Sequence, residues 1–195
     1  KASFRFWPDL EVEKAYAQLY TAIYHTRNVL KKFSNHLQIE NVFDGYKLQM
    51  QDISIDIVAW ENKLKAAPPL HIETIKTYEE IMELYTEPYL KHYNFYWAES
   101  EQFRLEQVWT ETAMKMAELY EVYHLYEDAV KWYDKICITQ PEDEDACFAL
   151  MKIYAKLDYG ILVNHLYVQL EKALKEIDIE MSPEIRNWYQ QWRIK

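Results

Sequence analysis

The sequence has very little glycine: 2 of its 195 residues, beside 6 prolines. A sheet-rich protein of this length needs many turns, and turns consume glycine. The shortage argues against a β-sandwich, a propeller or a Rossmann-type enzyme. It also excludes the glycine-rich phosphate loops, because neither loop motif can be written with Gly45 and Gly160 alone. We therefore expect a mainly α-helical chain with room for one hairpin.

Cysteine and long apolar runs are also scarce. Cys137 and Cys147 do not make a disulfide framework, and we expect both to be buried as small hydrophobic side chains. No apolar run approaches the roughly 20 residues of a membrane span, and no signal peptide opens the chain. These features predict a soluble cytoplasmic protein without a membrane partner. The chain opens without methionine and in the middle of a pattern, as a piece of a longer protein would.

The sequence shows no group of residues with the spacing typical of a catalytic site or a metal site. The 6 histidines include no pair at i and i+4, and none stands beside a cysteine. The acidic run at 142–145 lacks the glycine and alternating ligands of a calcium loop. We expect it in the first turn of a helix, where carboxylates complement the helix dipole. With no nucleophile–base pair in view, we predict no enzyme, no cofactor and no metal site.

Charge is unevenly distributed along the chain. The net charge is −10, from 22 basic and 32 acidic residues. The first 50 residues carry slightly more basic than acidic side chains, so the remainder holds the whole acidic excess. This asymmetry hints at an end that faces nucleic acid, attached to a body that phosphate would repel.

The first 50 residues show the pattern of a helix followed by a hairpin. Pro8-Asp9 is a helix start signal, with Asp9 as the candidate N-cap. Apolar residues then recur at helical spacing for about 20 residues, as far as Phe33. The period changes after that point. Asp44-Gly45 between apolar residues is the strongest short-range signal for a hairpin turn.

After the hairpin the pattern predicts helices. The first is Asp56–Ala66, and the last has Ser182 as its cap and Pro183 in its first position. Residues 110–175 repeat on themselves at a shift of 34 residues, which is typical of tetratricopeptide repeats. The equivalent pairs are Ala113 with Cys147, Met116 with Leu150, Tyr120 with Tyr154, Ala129 with Val163, Tyr133 with Tyr167 and Ile136 with Leu170.

Several stretches occur in a specific order along the helical part. They are Leu84-Tyr85 with Pro88-Tyr89-Leu90, Leu125–Val130, Gln140–Ala146, Leu150-Met151 and Met181–Ile185. Together they resemble the bacterial transcriptional activator domain, the helical module of the SARP/AfsR-type regulators, over residues 52–193. The sequence departs from that family at Tyr126 and Asp158, which stand where its inter-helix glycines are expected.

The N-terminal part resembles the second half of an OmpR-type winged helix. The resemblance rests on Phe6–Asp9, on Leu19–Leu30, and on Asp44–Leu48 as the wing. It implies that residues 1–50 are the C-terminal half of a winged-helix DNA-binding domain and that residues 51–195 are the helical activator domain. A winged helix inserts this helix into the major groove while its wing touches the backbone. The residues so implied in DNA binding are Gln18, Thr21, Tyr24, His25, Arg27, Asn28, Lys31, Lys32 and Lys47.

The same resemblance implies partners and context. The intact winged helix would bind double-stranded operator DNA. The helical domain would bind protein partners: a second copy, an upstream regulatory domain or the transcription machinery. Family members often carry a receiver or ATPase domain, so we expect the output region of a two-component response regulator in a phosphorelay. The alternative is a stand-alone tetratricopeptide-like scaffold whose basic first helix is a solvated face. The aromatic cluster between Tyr89 and Trp97 fits either a core or an exposed partner surface.

Overall fold

The computed structural model describes residues 7, 9–93 and 95–194. Pro8 of the predicted helix start and Phe6 of the winged-helix resemblance therefore lie outside the described residues. Across these ranges the chain forms eight α-helices and one antiparallel hairpin. The prediction of a mainly α chain with a hairpin near its N-terminus is confirmed. The elements are α1 (Val12–Leu30), a 3-10 turn (Lys31–Phe33), β1 (Leu37–Val42), β2 (Gly45–Met50), α2 (Asp56–Ala66), α3 (Ile75–Met82), α4 (Tyr96–Val122), α5 (Tyr126–Thr139), α6 (Glu144–Lys156), α7 (Gly160–Glu176) and α8 (Pro183–Ile194).

The chain divides into two compact units. Unit 1 comprises residues 1–59 and 95–97, and unit 2 comprises residues 60–94 and 98–195. The domain boundary at residue 50, drawn from the sequence, stays a prediction.

Helix α1 of unit 1 begins later than the sequence signal suggests. Its N-cap is Glu11, whose side chain makes no capping hydrogen bond, so the prediction of Asp9 as the cap is wrong. The Leu10 N–H donates to the Trp7 carbonyl, which places Asp9 inside a turn that precedes the helix. The helical ladder then opens with the bond from Ala15 N to Glu11 O at 2.9 Å.

The predicted hairpin is present, with its turn shifted by one residue. Val42 pairs with Gly45, so Phe43 and Asp44 form the two-residue turn and Gly45 already belongs to β2. Gly45 does not adopt a positive φ angle. This register sets Ile39 opposite Leu48, and an apolar face runs along both strands. A shift of register by one residue would turn those side chains to the other face.

Unit 2 opens with helices that side chains tie to α4. Trp60 of α2 is completely buried and lies against Tyr85, with ring centroids 4.9 Å apart. The Arg104 guanidinium of α4 pairs with Glu61 of α2 at 2.9 Å. In the same way, the Tyr120 hydroxyl of α4 donates to Glu79 of α3 at 2.7 Å. Side-chain bonds therefore join α4 to both α2 and α3.

The 34-residue repeat is visible in the burial of side chains. Four of the repeat-equivalent pairs are buried, with every member at most 3% exposed. They are Ala113 with Cys147, Met116 with Leu150, Ala129 with Val163 and Ile136 with Leu170. Hydrogen bonds follow the antiparallel pairing of α4 and α5, since Thr110 near one end of that pair contacts Gln140 at 3.2 Å. Helix α6 packs on both α5 and α7. Equivalent positions of the two repeats are thus buried in the same way, and α5, α6 and α7 pack in chain order.

Three helices of unit 2 end in a left-handed residue that is not glycine. His124, Asp158 and Asp178 have φ angles of 60°, 62° and 59°. In each case the residue that follows donates its N–H to the carbonyl of the residue five positions before the donor, at 2.8 to 2.9 Å. This is the hydrogen bond of a Schellman cap. His124 and Asp158 are one period apart. The family resemblance places an inter-helix glycine at position 126, but Tyr126 is already part of α5. The left-handed residue of this turn is instead His124, two residues earlier.

The junction between α5 and α6 brings two features of the sequence together. Asp143 is the N-cap of α6, and its carboxylate accepts from the Ala146 N–H at 2.9 Å. The acidic run thus caps and begins a helix, as predicted. Burial, together with the nearby Asp145 carboxylate, raises the pKa of Asp143. Cys137 of α5 and Cys147 of α6 are both buried, as predicted, and their sulfur atoms lie 3.2 Å apart.

Helix α8 begins at Pro183, as predicted, and packs through aromatic rings. Tyr189 stacks on Tyr167 of α7 with centroids 3.7 Å apart, and its hydroxyl donates to Asn164 at 2.6 Å. Trp188 meets Phe148 of α6 edge-on at 5.4 Å. The last helix therefore covers the end of the preceding helix pair.

Candidate nucleic-acid interface

The outer face of α1 carries the polar residues that the sequence singled out. Gln18, Thr21, Tyr24 and His25 are exposed, and Asn28 is half-buried. The Tyr24 ring meets the His25 ring edge-on at 5.6 Å. The helix thus presents amide, hydroxyl and imidazole groups on one side, and these are groups that hydrogen-bond base edges.

Arg27 points toward the hairpin rather than away from it. Its Nε and Nη2 atoms donate to the Ile39 carbonyl at 3.1 and 2.9 Å, and Nη2 also donates to Asn41 Oδ1 at 2.7 Å. The guanidinium lies 5.5 Å from the centroid of the Tyr46 ring. The winged-helix resemblance implied Arg27 in DNA binding. The structure gives it partners in both strands, so its charge fixes the hairpin on α1.

Three lysines of unit 1 are exposed. Lys31 and Lys32 lie in the 3-10 turn after α1, and Lys47 lies in β2. None of the three forms an ion pair with a described residue. Lys47 stands opposite Glu40 in the hairpin, but the Glu40 carboxylate accepts instead from Gln49 at 2.9 Å. Exposed cations without a competing carboxylate are suited to neutralising phosphates.

An apolar groove separates α1 from the hairpin in unit 1. Its volume is about 370 Å³, and its lining residues are Ile23, Thr26, Leu30, Leu37, Ile39, Tyr46 and Leu48. Ala15 is the one apolar side chain that is buried among residues 9–59. A helix and hairpin of this size would normally bury more of their apolar face than this.

The aromatic cluster near the start of α4 is mostly at the surface. Tyr93, Phe95 and Tyr96 are exposed, with Tyr96 at 88%. Phe95 and Trp97 stack with centroids 5.3 Å apart. For these three side chains the structure favours the exposed surface over the core.

Among the described residues, no helix is long and apolar enough to cross a membrane. In that same part of the chain, no group of three or more histidine, cysteine, aspartate or glutamate side chains is arranged to hold a metal ion.

Comparison with protein families decides the class of unit 2. The family model of the bacterial transcriptional activator domain matches residues 62–193, which is more than half of the chain. The chain belongs to the bacterial transcriptional activator domain family. The match begins within α2 and ends within α8. Among curated proteins and among solved structures, nothing matches this chain.

Membership in the bacterial transcriptional activator domain family confirms the coarser part of the sequence prediction. The helical domain is of a transcription-regulator type, and the family is not an enzyme family. The match does not include α1 or the hairpin. The nine residues predicted to bind DNA therefore stay a prediction.

Sequence reasoning missed the contact of Arg27 with the Ile39 carbonyl and the contact between the two cysteines. In the first case the partner is a main-chain atom, which leaves no trace in residue identity. In the second case the ten-residue separation crosses a helix boundary, so no periodicity links the two thiols. One signal for the Arg27 contact is available in the sequence. Helical spacing puts Arg27 next to the apolar positions of α1, on the side that faces the groove.

Proposed function

We propose that this chain is the DNA-binding output region of a bacterial transcription regulator. In this proposal α1 is the recognition helix of a winged helix, the hairpin is its wing, and unit 2 is the activator and oligomerisation domain. The observation that carries the proposal is the two-sided character of α1. Its outer side is polar and ends in free lysines, while its inner side faces the apolar groove.

The groove supports the winged-helix part of the proposal. An open apolar face in unit 1 is expected if further helices and strands of the same domain cover it. Arg27 supports it too, since a wing held against its helix keeps a fixed angle to the DNA. With Arg27 engaged in that way, Lys31, Lys32 and Lys47 are the residues that we propose for phosphate contact. Gln18, Thr21, Tyr24, His25 and Asn28 are proposed for the bases.

We further propose a two-component response regulator as the natural setting, with a phosphorylatable receiver domain upstream in a cytoplasmic protein. This part rests on the family resemblance alone. The full sequence of the natural protein tests it directly. A receiver domain before the winged helix supports the proposal, and a gene with no regulatory domain before residue 1 contradicts it.

The test of DNA binding uses the full-length protein and a randomised pool of double-stranded DNA. Lys31→Ala with Lys47→Ala removes two proposed phosphate contacts. We expect weaker binding to all sequences, and a slope of log affinity against log salt that is flatter by up to about 1.8, because each phosphate contact contributes roughly 0.9. Fluorescence anisotropy at several salt concentrations measures both quantities.

A matched control removes the same charge elsewhere. Lys115→Ala with Lys175→Ala takes two exposed lysines from unit 2, and we expect no change in the salt slope. Gln18→Ala should leave the slope intact and relax preference at one base position, read by sequencing the bound pool. If the Lys31/Lys47 variant folds normally and keeps its affinity and slope, unit 1 does not bind DNA in this way. The scaffold alternative then stands.

A further inference from the structure

The two cysteines of the chain form an isolated pair in the interior of unit 2. Cys137 is in the last turn of α5 and Cys147 in the first turn of α6. Cys147 Sγ donates to Cys137 Sγ at 3.2 Å, and a weaker contact of Cys147 with the Pro141 carbonyl measures 3.9 Å. The side chains are 9% and 1% exposed.

We propose that Cys137 and Cys147 are a redox modification site, at which a hydroperoxide converts the two thiols into an intramolecular disulfide. The sulfur atoms need to approach from 3.2 Å to about 2.05 Å, which is a movement of roughly 1 Å. The helix ends that carry them are joined by a connection of only four residues, 140–143. Such a movement lies within the adjustment available at a helix junction.

The reaction runs in two steps. The Cys137 thiolate attacks one oxygen of hydrogen peroxide, the O–O bond breaks, and the leaving hydroxide takes a proton to become water. Cys137 is then a sulfenic acid. The Cys147 sulfur attacks the Cys137 sulfur, the S–O bond breaks, and the departing hydroxide takes the Cys147 thiol proton as a second water. The two sulfur atoms together lose two electrons, and the peroxide gains them.

The order of the steps follows from exposure. Cys137 keeps 9% of its surface exposed and precedes the exposed Ile138, whereas Cys147 keeps only 1%. The hydrogen bond with Cys147 and burial raise the pKa of the Cys137 thiol. The thiolate is therefore scarce at neutral pH, and the reaction is slower than at an exposed thiol. Once the sulfenic acid forms, the neighbouring thiol is in contact and resolves it before further oxidation.

The disulfide would join the C-terminus of α5 to the N-terminus of α6. That junction links one helix pair of the repeat to the next. Because the bond closes a short loop in the unfolded chain, the oxidised protein should melt about 5–11 °C higher than the reduced protein. The angle between the helix pairs would become less variable.

The experiment treats the folded chain with hydrogen peroxide, stops the reaction, and alkylates free thiols in denaturant before mass spectrometry. We expect one species that has lost two hydrogen atoms, carries no alkyl group and regains both thiols with dithiothreitol. Oxidation of Met50, which is 49% exposed, shows that the dose was sufficient. Both thiols free after Met50 has been oxidised would overturn the proposal, as would cross-linked dimers or a sulfinic acid without a disulfide.

Two single-cysteine variants assign the steps. In Cys147→Ala, a sulfenic-acid trap should label Cys137, and peroxide should not raise the melting temperature. In Cys137→Ala, the enclosed Cys147 should stay reduced under the same dose. Labelling of Cys147 instead would show that the order of attack is wrong and would contradict the proposal as stated.

Discussion

Asp178 offers a sharp test of how this glycine-poor chain ends its helices. It follows α7, has a φ angle of 59°, and allows the Ile179 N–H to reach the Leu174 carbonyl at 2.9 Å. A left-handed backbone costs a residue with a β-carbon about 1 kcal/mol. A carboxylate at the C-terminal end of a helix also opposes the helix dipole, by about 0.3–1 kcal/mol.

Asp178→Gly removes both penalties at once. Against them stands the greater backbone entropy of glycine in the unfolded chain, about 0.5 kcal/mol. We therefore expect the free energy of unfolding to rise by about 1 kcal/mol. For a chain of this length, that corresponds to a rise in melting temperature of about 2–4 °C. Urea denaturation followed by circular dichroism, with thermal melting in parallel, measures the change.

Two matched variants separate the contributions. Asp178→Asn removes only the charge and keeps a side chain that tolerates the left-handed region, so it should gain only the dipole contribution, about 0.3–1 kcal/mol. Asp178→Ala removes the charge and keeps the β-carbon, so it should fall below Asp178→Gly. If Asp178→Gly is no more stable than Asp178→Ala, the left-handed strain does not limit stability here and the reasoning fails.

Three further predictions concern the repeat. Asp143→Ala should lower the free energy of unfolding by about 1 kcal/mol through loss of the cap to Ala146. Asp143→Asn keeps the accepting oxygen. Because the folded pKa of Asp143 is raised, folding stability is greater when it is protonated and falls as pH rises through that pKa. The free energy of unfolding of Asp143→Asn, measured by denaturation, should therefore rise relative to that of the wild type from acid to neutral pH. A difference between the two proteins that does not change with pH would contradict this. Ala129→Leu should cost about 1–3 kcal/mol because the site is fully buried, whereas Asp134→Leu on the exposed side of α5 should stay within about 0.5 kcal/mol; equal effects would mean that the helices do not pack closely at Ala129.

Local sequence patterns predicted much of the fold correctly. Asp56–Ala66 was predicted with the bounds that the structure gives, and Pro183 begins α8. In each of these cases the signal lies within one or two helical turns of the residues it governs. The hairpin was predicted for the same reason, yet its turn falls on Phe43 and Asp44. Asp-Gly marked the region of the turn but not its centre, and the apolar face of the strands cannot choose between the two registers, because both keep Ile39 and Leu48 on the same side.

The candidate interface was harder to predict, because its details depend on distant partners. Spacing alone placed Gln18 and Thr21 on an outer face, and both are exposed. Spacing could not reveal that Arg27 is bonded to a strand that begins ten residues later. Nor could it reveal the contact of Cys137 with Cys147, since that depends on the angle at which α5 and α6 meet.

The bond between Arg27 and the Ile39 carbonyl has a consequence for how unit 1 tolerates mutation. A main-chain oxygen is supplied by every amino acid, so residue 39 can change among apolar side chains without loss of this bond. Position 27 has no such freedom, because lysine cannot place two donors in the fork that the guanidinium provides. Variation should therefore accumulate in the strands while position 27 stays fixed. A library of substitutions scored for folding would show one intolerant position on the helix facing a permissive hairpin.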